Sequence, residues 1–246
     1  MKSELANRLK LRYSPVALVY TNEKPAGALE FDPCQWACVT ALLSAAAKGR
    51  TAVFSLDSCP CDGGRVGLGL SDQFAAGIEY FLSTGNDAMP LIAGMPEPEA
   101  FKKTPSLAKE WADSLQKRAI SEKYVVFTPI ENLKDTDTPQ IIICYANPDQ
   151  LTALIVLANY DRTGVDAVMA PFSSGCMTAC LFALNECGRE HPKAVIGMTD
   201  VSARPHIDAD LLSFSMPYSM YREMEANIPG SFLDKSEWKK VAKRIK

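Results

Sequence analysis

Short apolar runs and longer helix-like stretches alternate along this chain. The run PVALVY (15–20) is apolar with β-branched residues, which predicts a buried strand. Residues 35–48 are alanine-rich and stop at Gly49, which predicts a helix. TAVFS (51–55) predicts a strand that runs into a cysteine- and glycine-rich loop. A helix is expected over 73–83, closed by Gly85. A proline-rich connection follows over 86–105, then a helix over 106–119. Strands are expected at 124–127 and 140–145, and a helix capped by Asp149 over 149–160. A short strand at 167–170, a helix over 176–186, and strands at 194–198 and 212–216 come next. Helices over 217–227 and 236–245 close the pattern. Alternation of this kind predicts an α/β or α+β fold, a mixed sheet with flanking helices.

The pattern also repeats. PVALVYTN (15–22) parallels PQIIICYANP (139–148). Cys38 opens Cys-x-Thr-Ala and Cys176 opens Cys-x-Thr-Ala; each is followed by a helix, a lysine, an apolar strand and an aspartate. The expectation is one domain with two pseudo-symmetric halves, 13–85 and 139–216, in which Cys38 and Cys176 are equivalent.

Composition narrows the class. The chain has 246 residues, 47% of them hydrophobic and 22% charged, enough for one large domain or two small fused ones. A formal net charge of -3 gives no pull toward nucleic acid. The longest apolar runs are too short to span a bilayer. The first residues, MKSELANRLKL, read as a polar amphipathic helix and not as a signal peptide, so a cytoplasmic location is expected. Eight cysteines should then stay largely reduced.

The stretch SCPCDGGRVGLGL (58–70) carries the chemistry. Cys61 precedes Gly63 and Gly64, where bare backbone can approach a sulfur or a ligand. Cys38 and Cys176 each open a helix, where unpaired amides favour a thiolate and a lowered pKa is expected. Cys59 and Cys34 lie close by as candidate fourth ligands. Cys144, Cys180 and Cys187 read as core. Arg65 and Arg204 are candidate partners for an anion, and Asp200 and Ser202 sit at a strand end, where α/β proteins place functional groups. The glycine loop lacks the order of a dinucleotide fingerprint and the lysine of a P-loop, so a nucleotide site is rejected.

The motifs together resemble one family. They are W-x-C at Trp36 and Cys38, C-x-G-G-x-x-G-L-G from Cys61 to Gly69, and DQLTALIVLANY (149–160). SGC (174–176), AVIGMTDVSAR (194–204) and the stretch from SFSMPY to Trp238 complete the set. On these the chain resembles the DUF169 family over nearly its whole length. The resemblance brings no established activity, so function rests on the residues.

Scattered cysteines from several loops suit an iron–sulfur cluster, with the four-iron form favoured. Zinc is the less suited alternative, because no paired C-x-x-C knuckles are present. Two histidines, His191 and His206, are too few for an imidazole-rich centre. The expectation is a cluster on Cys38, Cys61 and Cys176, with Cys59 or Cys34 as fourth ligand. It would serve redox or Lewis-acid chemistry on a small anionic substrate bound by Gly63, Gly64, Arg65 and Arg204. In one cubane cluster the sulfurs of Cys38 and Cys176 would sit roughly 6–7 Å apart. A non-metal small-molecule binding or regulatory domain is the alternative. A Cys59–Cys61 redox pair is weaker, since C-x-C strains a disulfide. The expected partners are a small-molecule ligand or a redox protein, with neither nucleic acid nor membrane, and homo-oligomer formation stays open.

Overall fold

A computed structural model describes residues 2–32, 37–86 and 97–245. Cys34 and Trp36 lie outside the described residues. The elements run α1 (Glu4–Leu9), β1 (Val16–Thr21), α2 (Val39–Ala47), β2 (Ala52–Phe54), α3 (Asp62–Gly67), α4 (Ile78–Phe81), α5 (Pro105–Ser114) and β3 (Tyr124–Pro129). They continue with β4 (Pro139–Ala146), α6 (Pro148–Ala158), β5 (Val168–Met169), a π-helical segment (Met177–Leu181) running into α7 (Phe182–Asn185), and β6 (Ala194–Gly197). β7 (Leu212–Pro217), α8 (Tyr218–Ala226) and α9 (Ser236–Ala242) end the order.

The strands form one seven-stranded sheet in the order β2-β3-β1-β4-β7-β6-β5. β5 and β6 pair in parallel and the other named strand pairs are antiparallel, so this is a mixed α/β sheet. β1 and β4 are neighbours at its centre, with Ala17 opposite Ile142. Outward from that pair one arm runs β1-β3-β2 and the other β4-β7-β6, with the two-residue strand β5 added at its edge; β5 aside, each arm carries its first, third and second strand. The two arms therefore share one connectivity.

Side-chain alternation gives the sheet two apolar faces. Val16, Leu18, Phe127, Ile141 and Ile143 point to one face, under Val39, Leu43 and Ala46 of α2 and Met177 and Leu181 of the π segment. Ala17, Ile142, Cys144, Phe214 and Met216 point to the other, under α1, α6 and α8. Fully buried side chains such as Leu18, Phe127 and Phe214 contribute about 1.5–3 kcal/mol each relative to exposure.

Several local expectations shift. The helix expected over 73–83 shortens to α4, because Gly77 adopts φ 85 at its N-cap. The helix expected from Asp149 is capped by Asn147 instead, in a reciprocal capping box with Gln150. Asp149 is left free to pair with Arg244. The glycine-rich segment 62–67, expected as a loop, is helix α3.

Candidate functional site

Three cysteines far apart in sequence meet at one pocket. Cys38 is the N-cap of α2, Cys61 the N-cap of α3, and Cys176 lies in the first turn of the helical stretch 175–185. All three line the same pocket, together with Asp62, Gly63 and Met177. Phe74, Ile78, Phe81, Leu82 and Trp111 form its apolar wall, and Ser174, Glu99, Asp200 and Ser202 its polar side. The free space is about 70 Å³, room for about two waters at roughly 30 Å³ each.

The glycines explain how α3 fits between the other two helices. A Cβ on Gly64 would lie 2.5 Å from Val39 Cγ2 and 3.2 Å from Cys59 Sγ. A Cβ on Gly67 would lie 2.9 Å from Cys176 Sγ. Contacts under 3.0 Å force something to move, so only bare backbone lets α3 approach both. Gly64 also donates its N–H to Cys61 Sγ at 3.3 Å, a bond that would strengthen to a thiolate. Cys176 Sγ donates to the Gly63 carbonyl at 3.2 Å and lies 3.4 Å from Ser174 Oγ. Cys38 Sγ lies 2.9 Å from Thr40 Oγ1.

The expected lowering of the thiol pKa values does not occur. Burial pushes Cys38, Cys61 and Cys176 up. For Cys61 the neighbouring Cys38 and Cys59 add to the rise, and for Cys176 the neighbour Cys61 does so. Desolvation of a sulfur anion in an apolar pocket outweighs the few partial charges of a helix end. Glu99 is pushed up to about 7, first by burial and further by Asp200, against a hydrogen bond from Ser202.

The other candidate residues fall elsewhere. Cys59 is fully buried, is not among the lining residues, and donates to the Cys61 carbonyl at 3.6 Å. Arg65 also faces away from a ligand: its Nε donates to the Cys59 carbonyl at 2.8 Å and braces the C-P-C turn. Arg204 donates to the carbonyls of Leu211 at 2.5 Å and Ala209 at 2.7 Å, with a longer bond to that of Met198. Met198, with a left-handed φ of 60, is held from the other side by Thr178 Oγ1. Arg204 thus staples a loop. Neither arginine lines the pocket, and its lining holds no Lys, Arg or His among the described residues. Gly63 does line it, whereas Gly64 serves packing and the Cys61 bond.

Asp200 meets the expectation of a strand-end group: it accepts the N–H of Gly175 at 2.8 Å and the N–H and hydroxyl of Ser202 at 2.9 Å each. It thereby anchors the first turn that carries Cys176. Glu99 and the wall of Phe74, Phe81 and Trp111 are additions to the sequence reading. Glu99 sits in the proline-rich connection, where no period or motif marks it.

Among the described residues no three His, Cys, Asp or Glu side chains are gathered closely enough to hold a single metal ion. The seven described cysteines are all free. No described helix is long and apolar enough to cross a membrane.

No curated protein and no solved structure matches the chain. A family model described as "Uncharacterised ArCR" matches residues 4–227, across both arms of the sheet and every cysteine of the pocket, and the chain belongs to that family, DUF169.

Proposed function

We propose that this protein holds an iron–sulfur cluster on Cys38, Cys61 and Cys176 and uses it for redox or Lewis-acid chemistry on a small substrate. The observation that carries this reading is the convergence of three thiols, from three helix starts and both arms of the sheet, on one pocket. Burial raises all three thiols, Cys38 raises Cys61 and Cys176 further, and Cys61 raises Cys176, so a cationic centre among them would favour their ionisation. The sulfurs line the pocket without closing on one point, which counts against a single zinc ion. Amides at the start of α3 stand ready to hydrogen-bond sulfur.

A core of four irons and four sulfides is larger than the free space, so the pocket would have to widen to seat it. The substrate side also changes from the anionic expectation. With Asp62, Glu99 and Asp200 on the wall and no basic residue among the described ones, the pocket favours a neutral or cationic substrate. The shared connectivity of the two arms supports an origin by duplication, with Cys38 and Cys176 as the equivalent pair.

Purification and reconstitution without oxygen test the reading through colour, iron and sulfide. A brown protein with about four irons per chain supports it. A colourless protein with neither iron nor sulfide overturns it. The apolar wall would then favour the second reading, a non-metal small-molecule site.

A further inference from the structure

We propose that this chain forms a two-fold dimer through the outward side of α6, packed antiparallel against the same helix of a second copy. α6 is apolar on both sides. Leu151, Leu154, Leu157 and Ala158 are buried in the core beneath it, as a helix laid on a sheet requires. The other side should then be polar, yet it carries Ile155 and Val156, continued by Tyr160 just past the helix end. These three are 37%, 44% and 47% exposed. The helix holds no Lys, Arg or Glu, and its one acid, Asp149, stands in the first turn. Val165, 94% exposed, lies in the loop that follows. That loop folds back on the helix end, where Ala167 donates its N–H to Asn159 Oδ1 at 3.3 Å. The four apolar residues leave a surface on the order of 400 Å² uncovered, about half of the roughly 800 Å² that each partner buries in a stable interface.

A second copy is the occupant that the charges fit. Asp149 and Asp161 stand at equal distances along the chain on either side of Ile155. An antiparallel pair with its two-fold axis at Ile155 therefore sets residue 149 of one copy beside residue 161 of the other. Asp149 holds Arg244, whose Nε donates to Asp149 Oδ2 at 2.6 Å and whose guanidinium stays largely exposed. Asp161 is exposed and enters no ion pair among the described residues. Arg244 of each copy thus meets Asp161 of the other. An uncharged apolar centre with one such pair at each end is self-complementary, as a two-fold interface has to be. The antiparallel setting also brings the N-terminus of each helix to the C-terminus of its mate, which favours that pairing. α6 packs on the opposite face of the sheet from α2, so the dimer leaves the pocket of Cys38, Cys61 and Cys176 open.

Sedimentation velocity of the full chain over about 1–100 μM tests the proposal with wild type, Val156→Glu and Asp161→Arg. The wild type is expected to sediment as a dimer. Val156→Glu sets two like charges near the axis and is expected to be a monomer with an unchanged circular dichroism spectrum. Asp161→Arg is expected to raise the dimer dissociation constant about tenfold, since it turns two attractive pairs into repulsive ones. A wild type that stays monomeric up to about 100 μM overturns the proposal. So does a Val156→Glu variant that stays dimeric, and so does an Asp161→Arg variant with the wild-type dissociation constant. Assembly of the wild type beyond dimers also overturns it, because a two-fold contact closes on itself. If Val156→Glu does not fold, Tyr160→Ser decides: a weakened dimer of folded chains supports the proposal, and an unchanged one overturns it.

Discussion

Gly67 and Cys176 sit so close that a methyl group on the glycine would reach within 2.9 Å of the sulfur and 3.0 Å of the Cys176 backbone. Gly67→Ala is therefore expected to destabilise the protein by about 1–3 kcal/mol, the usual cost of overpacking, although alanine is the better helix former. Gly63 is the control. It lies in the same helix, and its nearest neighbour for a new Cβ is Cys61 Sγ at 4.0 Å. Gly63→Ala should be neutral or stabilising by about 0.5–1 kcal/mol. Urea denaturation of the two variants measures both. Equal stabilities would mean that α3 can slide away from Cys176.

Cys61→Ser should abolish iron retention, whereas Cys187→Ser should leave it intact. Cys61 lines the pocket, while the Cys187 thiol points to the carbonyls of Gln140 and Ala183. Iron per chain after anaerobic reconstitution is the measurement. Equal iron in the two variants would remove Cys61 from the ligand set.

Arg204→Ala is expected to cost stability, not ligand affinity. The guanidinium holds the carbonyls of Leu211 and Ala209 and steadies Met198 in its left-handed turn. Loss of charge-assisted bonds of this kind costs about 1.5–3 kcal/mol. A clear drop in Tm with iron binding retained is the expected result. An unchanged Tm would show that the loop holds without the staple.

Glu99 makes the stability of the iron-free protein depend on pH. Its folded pKa is raised from 4.5 to about 7, so across that interval the native state binds more protons than the unfolded chain. Stability contributed by this group is then full below about 4.5 and falls as pH rises toward about 7. Glu99→Gln should flatten that part of the profile. Urea midpoints of wild type and variant between pH 4.5 and 7.5 give the comparison; parallel curves would show that Glu99 is solvated in the native state.

Strands were the most legible part of the sequence, because PVALVY and PQIIICYA carry their β-branched, apolar character locally. Cys38 and Cys176 were legible through their placement at helix starts, and Cys61 through the glycines that follow it, although not as a helix cap. What the sequence hid was set by packing. Asp62–Gly67 reads as a glycine loop, yet it is helical because its small residues let it wedge between Val39 and Cys176. Arg204 reads as a ligand-binding cation, yet nearby carbonyls claim it. Glu99 becomes visible only when Phe81, distant in sequence, fixes its backbone.

The central pairing of β1 with β4 gives the pocket a place in the life of the chain. β1 stands near the start of the sequence, and both of its sheet partners, β3 and β4, arrive more than a hundred residues later. During synthesis Cys38 and Cys61 therefore wait for the second arm before Cys176 can join them. A group bound by the three sulfurs would span both arms like a clasp. Its binding free energy would add directly to that of folding, because an unfolded chain offers no such grip. A chain cut between β3 and β4 separates Cys176 from Cys38 and Cys61 and parts the central strand pair in one stroke.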